Sequence, residues 1–384
     1  MPDTTSKDSK AKQLGFGFMR LPLTDPADQT SIDLKQVYRM VDHFLDEGFT
    51  YFDTAQRYHD GESQTALRKA LVERHPRDSY TVASKMMPRL AASHDDLYRL
   101  FDEQLAQLGL DYLDYYLVHN LNQVSYDQAN KVRVWDFIAE QKAGGKIREI
   151  GFSHHGTPEL LDEILAAHPE LDFVQLQINY LDYDYPGIES RRQLEIARAH
   201  HIPVVAMEPL KGGNLAQVDS IAANFMMAAH PGWGAIDWGL HFAASQPGVR
   251  TVLSGMSSYL QVVENCESMA DETPLTAAEL EAAAKAVKII LLTSDIPCTT
   301  CHYCEEGCPE HIAIPDYFSL YNSAKRDQTG NIWSQYTFYQ DIASRRGKAS
   351  DCSECGACEA ACPQHIKIRD ELKKVASLLE KTPA

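Results

Sequence analysis

Eight of the chain's nine cysteines fall in two runs: Cys298-Thr-Thr-Cys301-His-Tyr-Cys304-Glu-Glu-Gly-Cys308-Pro309 and Cys352-Ser-Glu-Cys355-Gly-Ala-Cys358-Glu-Ala-Ala-Cys362-Pro363. Each has the form C-x2-C-x2-C-x3-C-P, the spacing that holds a cubane iron–sulfur cluster. Three thiolates at two-residue gaps let a short looped backbone wrap three corners of the cube. The fourth lies just beyond, and the proline after it turns the chain away. Zinc is the rival occupant, but zinc sites pair two C-x2-C units rather than three cysteines in tandem followed by C-P. The expected cofactors are therefore two [4Fe–4S] clusters, which handle electrons singly.

The runs are also an internal repeat: Cys308-Pro-Glu-His-Ile-Ala-Ile-Pro-Asp316 matches Cys362-Pro-Gln-His-Ile-Lys-Ile-Arg-Asp370. A duplicated half predicts a pseudo-two-fold domain with its clusters at equivalent places. Both runs resemble those of two-cluster ferredoxins, in which the fourth cysteine of each run ligates the other cluster. The resemblance implies one cluster on Cys298, Cys301, Cys304 and Cys362, and a second on Cys352, Cys355, Cys358 and Cys308. His311 and His365 recur with the repeat and read as surface or helix-start residues rather than ligands. The segment between the runs is rich in aromatics (Tyr317, Phe318, Tyr321, Trp333, Tyr336, Phe338, Tyr339), with helical rather than hairpin patterns. A mainly α-helical dicluster domain is expected, its aromatics serving as core and domain-interface packing.

A second group of reactive side chains lies far upstream. Asp53 ends the run Thr-Tyr-Phe-Asp, Tyr58 follows five residues later, Lys85 ends Val-Ala-Ser-Lys and His119 ends Leu-Val-His. The elements that must carry them are short β-rich runs at 14–19, 50–53, 79–85, 115–119, 148–153, 173–179, 203–207 and 250–255. Between them lie amphipathic helical stretches such as 96–108, with Leu97, Leu100, Phe101, Leu105 and Leu108 on one face. Eight β/α repeats over about 250 residues indicate a (β/α)8 TIM barrel, whose C-terminal strand ends build the active site. A doubly wound sheet is the alternative, but no G-x-G-x-x-G opens a helix here.

The segments GFTYFDTAQRYH, VASKM, YYLVHN, REIGFSHH, VQLQINY and GMSSYLQVVENC fall in the order found in the aldo-keto reductases, and the chain resembles that family across the whole barrel. The family's catalytic tetrad of Asp, Tyr, Lys and His matches Asp53, Tyr58, Lys85 and His119. That implies interconversion of a carbonyl and an alcohol, with Tyr58 as general acid/base. A phenol ordinarily titrates near ~10, and the Lys85 ammonium is expected to lower that value while Asp53 keeps the lysine charged. His119, neutral, would donate a hydrogen bond to the carbonyl.

The same resemblance places Ser153 and Gln175 at the nicotinamide carboxamide, Leu210 and Gly212 in the pyrophosphate loop, and Glu264 and Asn265 at the adenine end. The chain departs from the family where His154 replaces an asparagine, Met207 replaces the stacking tyrosine, and Gly255 and Gln261 replace the cations of the 2′-phosphate site. Lys211 is the nearest cation left. NAD(H) is expected over NADP(H), and a flavin stays open as a means of joining hydride chemistry to the clusters. Two other functions also stay open: an electron carrier or binding protein with a non-catalytic barrel, and a pure hydride reductase whose clusters are structural.

The chain's 384 residues are divided into a polar tail (1–13), the barrel (14–275), a linker helix (276–294) and the cluster domain (295–384). Hydrophobic residues make up 44% and charged residues 23%, ordinary globular material. A net charge of −18 argues against nucleic acid and anionic membranes as partners and suits a basic redox protein. The longest apolar stretch, 286–292, is too short to span a bilayer and is interrupted by Lys288. With eight cysteines committed to clusters and no apolar leader, a reducing cytoplasm is expected, and a small carbonyl or alcohol is the expected substrate.

Overall fold

Alternation of side chains along eight short strands decides the architecture. The structure, a computed structural model, describes residues 12–383 except 186–187, 217, 219, 293–294, 299–300, 306, 328–329 and 363. Residues 1–11 of the tail, the end of the linker and Pro363 thus lie outside the described residues. The strands are β1 (Leu14–Gly17), β2 (Tyr51–Asp53), β3 (Thr81–Met86), β4 (Leu113–Leu121), β5 (Ile147–His154), β6 (Phe173–Gln177), β7 (Val204–Met207) and β8 (Val249–Gly255). All pair in parallel in sequence order, and β8 closes back onto β1. Each falls within a few residues of its expected run.

Tyr51, Ala83, Leu117, Phe173 and Val205 form a compact apolar cluster inside the barrel. Side chains two residues further along a strand share its face. The next inward layer is therefore Asp53, Lys85, His119, Gln175 and Met207, so one periodicity supplies both the apolar plug and the polar floor above it. Gly151 makes room for the plug: a Cβ there would lie 2.5 Å from the Phe173 carbonyl oxygen and 2.8 Å from its ring. The outward face packs on helices in the main core, where Phe16, Phe52, Val82, Tyr116 and Phe152 are wholly buried.

The helix expected over 96–108 runs from His94 to Leu108. Ser93 and Asp96 cap it reciprocally, and Gly109 ends it in the left-handed region at φ 68°. The linker helix, Ala277–Leu292, buries Ala282, Ala283 and Ala286 against Ala222, Met226 and Trp238 of the barrel's outer layer.

The C-terminal region is helical, as its aromatic pattern indicated. Its main helices are Ile314–Arg326, Trp333–Ala343 and Ile368–Leu379. The repeat is visible in the backbone of the described residues. Each half runs from its last cysteine through a left-handed histidine, His311 at φ 52° and His365 at φ 54°. The two histidine N–H groups donate to the Cys308 and Cys362 carbonyls at 3.1 Å, and a helix opens at Ile314 or Ile368. Both histidines are exposed. Ile312, Ile314, Ile366 and Ile368 fill one shared core with Tyr317, Phe318 and Tyr339.

This helical unit sits on the C-terminal face of the barrel. The Trp333–Ala343 helix crosses the loops after β4, β5 and β6. The Asp341 carboxylate accepts the Gln123 N–H (2.6 Å), Ser334 Oγ donates to Gln177 Oε1 (2.9 Å), and Phe338 packs on His155 with ring centroids 6.3 Å apart. Arg345 adds a bond to Thr157 Oγ1 (3.1 Å), and the Tyr185 hydroxyl reaches the Ser319 carbonyl (3.0 Å).

Candidate active site and cluster cavities

Asp53, Lys85 and His119 rise from the adjacent strands β2, β3 and β4. Tyr58 joins them from the turn after β2, where His59 and Asp60 both adopt φ 51°. That turn is pinned by the His59 ring, whose Nε2 accepts the Leu21 N–H and whose Nδ1 donates to the Gln29 carbonyl, each at 3.0 Å. Lys85 Nζ donates to the Asp53 carboxylate and to the Thr54 carbonyl (3.0 Å), and lies 4.8 Å from the centre of the Tyr58 ring. The His119 ring meets Tyr58 edge-on at 5.8 Å and 82°. The lysine and aspartate are each 1% exposed, whereas Tyr58 and His119 are partly open.

Burial disfavours the Lys85 ammonium, but Asp53 and Tyr58 outweigh it and hold its pKa above the ordinary value. Burial drives His119 well below the usual histidine range, with Lys85 and His155 adding to the shift, so the imidazole is neutral. Tyr58 departs from expectation. Lys85 does pull its pKa down, but burial is the larger effect and the phenol ends above its ordinary value. The resting group is thus a protonated tyrosine beside a fixed ammonium, able to give a proton and stabilise what remains.

The residues assigned to the nucleotide behave unequally. Ser153 and Gln175 are register neighbours on β5 and β6, both buried. Ser153 Oγ accepts the Asn120 N–H at 2.8 Å. Asn120 Oδ1 is buried without a hydrogen-bond partner among the described residues, and Gln175 Nε2, which makes no hydrogen bond there, lies near enough to Asp53 to help hold that carboxylate's pKa down. One donor and one acceptor left open beside Ser153 suit a carboxamide, which offers the complementary pair. Met207 ends β7 in the same layer, 9% exposed.

Leu210 and Gly212 lie in a loop with four positive φ values: Glu208 (55°), Lys211 (47°), Gly212 (67°) and Gly213 (105°). Lys211 does not face a phosphate. It is buried and donates to both oxygens of Asp182 at 2.6 and 2.7 Å, which removes it as the cation of this loop. Arg20, just past β1, takes that place. A Cβ on Gly212 would stand 3.0 Å from Arg20 Nη2, and one on Gly255 3.4 Å from its Cδ. The two glycines therefore leave the path along which Arg20 crosses the open end of the barrel. Asn265 spends its amide internally, on Ser254 Oγ (2.9 Å) and the Gln261 carbonyl (2.6 Å), while Glu264 beside it is part-exposed. Sequence reasoning missed Arg20, His59 and Asn120. Of these, only Arg20 carries a signal in the chain, a cation three residues beyond the strand-end Gly17.

In the helical unit, Cys298, Cys301, Cys304 and Cys362 line one cavity, and Cys308, Cys352, Cys355 and Cys358 line a second. Ile314 contributes to both walls, so the two cavities are neighbours. Among the described residues no three His, Cys, Asp or Glu side chains close on a single metal ion. Four thiols spaced around a void suit a cubane, whose ligands stand at its corners, better than one zinc ion drawing all four to a point.

The chain matches the aldo/keto reductase family over residues 13–288 and a 4Fe-4S dicluster domain over 297–366. It is 25% identical to L-galactose dehydrogenase of Arabidopsis thaliana over 315 residues, 75% of this chain and 95% of that protein. It is 24% identical to the uncharacterized oxidoreductase YrpG of Bacillus subtilis, over 48% of this chain and 60% of that protein. The holo form of aldo-keto reductase AKR11C1 from Bacillus halodurans superposes with a TM-score of 0.58 at 24% identity, covering 71% of this chain and 91% of that one. An aldo-keto reductase from Klebsiella pneumoniae in complex with NADPH superposes at 0.56 and 24% identity, covering 72% and 90%. The structural likenesses speak to the fold.

Proposed function

The chain belongs to the aldo/keto reductase family and carries a 4Fe-4S dicluster domain, and on that premise we propose that this oxidoreductase interconverts a small-molecule carbonyl and its alcohol at Asp53, Tyr58, Lys85 and His119. The convergence of those four side chains at the C-terminal end of the barrel, three from strand ends and Tyr58 from the turn after β2, carries the reading. A nicotinamide bound in the barrel supplies or accepts the hydride. In reduction, His119 donates a hydrogen bond that places the carbonyl oxygen. The Tyr58 hydroxyl gives that oxygen its proton, and the Lys85 ammonium, held charged by Asp53, stabilises the phenolate left behind. In oxidation the phenolate takes the proton back.

Gln175 Nε2, Asn120 Oδ1 and Ser153 would hold the carboxamide, Met207 the ring by dispersion, and Arg20 the pyrophosphate over Leu210 and Gly212. Glu264 would face the adenine end, with Asn265 behind it, its amide spent on Ser254 and Gln261. The bound NADPH of the Klebsiella relative supports a dinucleotide in such a barrel. With Gly255 where a 2′-phosphate would need a cation, NAD(H) is the better fit.

The crossed cysteine sets would hold two [4Fe–4S] clusters, which supply single-electron transfer. Cluster chemistry and eight committed thiols favour the cytoplasm. The units we propose run 14–275, 276–294 and 295–384.

The test is Tyr58→Phe, assayed anaerobically with NADH and a panel of aldehydes and ketones. Turnover falls by at least ~100-fold while iron content stays at the wild-type value. Near-full activity in the variant would place the chemistry elsewhere.

A further inference from the structure

A cavity of about 670 Å³ lies outside the tetrad, enclosed by the barrel loop 180–185, the linker helix and the start of the cluster domain. Its size is that of a ligand site. Tyr180, Tyr183, Tyr185 and Phe242 wall it on the barrel side. Phe242 meets Tyr180 edge-on at 6.0 Å and Tyr183 at 5.2 Å. The far wall is Ile296, Pro297 and Cys298. Asn322 fixes it by bonding both the N–H and the carbonyl of Ile296, at 2.9 and 2.8 Å. The linker helix contributes Leu280, Ala284, Val287, Lys288 and Leu291, a single face at helical spacing. The helix packs on the barrel through Ala282, Ala283 and Ala286, and Val287 and Leu291 reach that core as well as the void, whereas Leu280, Ala284 and Lys288 only border the void.

The lining specifies an occupant. Four aromatic rings favour a flat ring system. The Tyr180 hydroxyl is buried without a partner among the described residues, a polar group the fold leaves unserved. Of the two cations on the rim, Arg191 is committed to Asp184 by two bonds of 2.6 Å. Lys288 makes no ion pair among the described residues. In a chain of net charge −18, an unpaired lysine at a cavity edge suits the anionic end of a ligand. Cys298 belongs to the first cysteine set, so a ring in this cavity touches a cluster ligand.

We propose that this cavity is a second small-molecule site, for a flavin of the mononucleotide type. The isoalloxazine lies among the four rings with one edge toward Cys298, and the phosphate is directed to Lys288. The choice of a redox-active ring rests on the cluster assignment above; the binding itself does not.

The test is anaerobic titration of the holoprotein with FMN, followed by quenching of flavin fluorescence. One-to-one saturable quenching is expected. Ala284→Trp, at an exposed helix position that faces the void, weakens binding at least about tenfold by filling the space, with iron content unchanged. Lys288→Glu, on the surface and neutral to folding, weakens FMN about tenfold and riboflavin much less. Bound FMN perturbs the paramagnetic resonance signal of one reduced cluster and not the other. The proposal is overturned if FMN does not saturate, if Ala284→Trp and Lys288→Glu both bind as tightly as the wild type, or if menadione binds in place of FMN. A preparation without iron would sink the cluster assignment alone, and FMN quenching would still be read in it.

Discussion

Lys85 and Asp53 form a buried pair, and neither half is removed without stranding the other. Lys85→Met leaves a buried carboxylate without its cation, for a loss of about 3–5 kcal/mol. Denaturant unfolding should show that loss, and Asp53→Asn combined with Lys85→Met should recover part of it. Neither single nor double variant should regain turnover, because the Tyr58 phenolate then has no ammonium beside it. The pH dependence follows from the two shifts. His119 is depressed, so it is neutral throughout the neutral range and contributes no inflection there; Tyr58 is raised, so it stays protonated until pH exceeds its ordinary ~10. Single-turnover reduction of a carbonyl should therefore be flat from about pH 6 to about pH 10 and fall only above that. An inflection near pH 6–7 that disappears in His119→Gln would mean that the imidazole is charged and the hydrogen-bond role is misassigned. Arg20 is separable from both. Arg20→Ala should raise the dissociation constants of NADH and NADPH by a similar factor, about 10- to 100-fold, since the pyrophosphate is common to both. Isothermal titration decides it, and a loss confined to NADPH would move Arg20 to the 2′-phosphate instead.

The helix Trp333–Ala343 is the element that ties the cluster domain to the chemistry. Asp341 on it is fully buried, accepts the Gln123 N–H and pairs with Arg345. It thereby fixes the loop that leaves β4 two residues beyond His119. Asp341→Leu should speed amide exchange around Gln123 and lower turnover several-fold while iron content holds. Unchanged exchange would show that the loop is held by its own capping bonds between Asn122 and Ser125. The strands and the two cysteine runs were legible because each is written locally, in a two-residue alternation or in a fixed cysteine spacing, whereas the tetrad roles and the crossed cysteine sets came from family resemblance. The docking of this helix was not. Its bonds join residues 157 and 218 positions apart, made by an ordinary serine and an ordinary aspartate. Lys211 shows the opposite failure. Beside two glycines it looks like a phosphate ligand, but Asp182, 29 residues upstream, captures it. Arg20 was overlooked for the same reason, since its neighbours Gly212 and Gly255 are about 190 and 235 residues away in sequence and come beside β1 only when β8 closes onto it. The Tyr58 shift was misjudged because sequence shows which charges are near but not how deeply the phenol is enclosed.

At the scale of the molecule, the C-terminal mouth of an aldo/keto reductase barrel is covered by a 4Fe-4S dicluster domain with two cysteine-lined cavities. The duplication inside that domain explains how it holds together. Two halves with the same backbone path, from cysteine through left-handed histidine to helix, interleave their isoleucines in one core, and Ile314 stands between the two cysteine cavities. Such interleaving makes each half dependent on the other. Cys308 closes the first run in sequence but lines the cavity of the second, beside Cys358. Cys308→Ala should therefore leave the cluster of Cys298, Cys301 and Cys304 intact and damage the one held by Cys352, Cys355 and Cys358. Cys362→Ala should do the reverse. Iron analysis of anaerobically purified protein should give about eight irons per chain in the wild type and fewer in each variant. Paramagnetic resonance of the reduced variants should then retain one of two signals, a different one in each case. If both variants lose the same signal, or if Cys308→Ala loses the cluster of its own run, the ligands do not cross, and the shared core would have to be explained by packing alone.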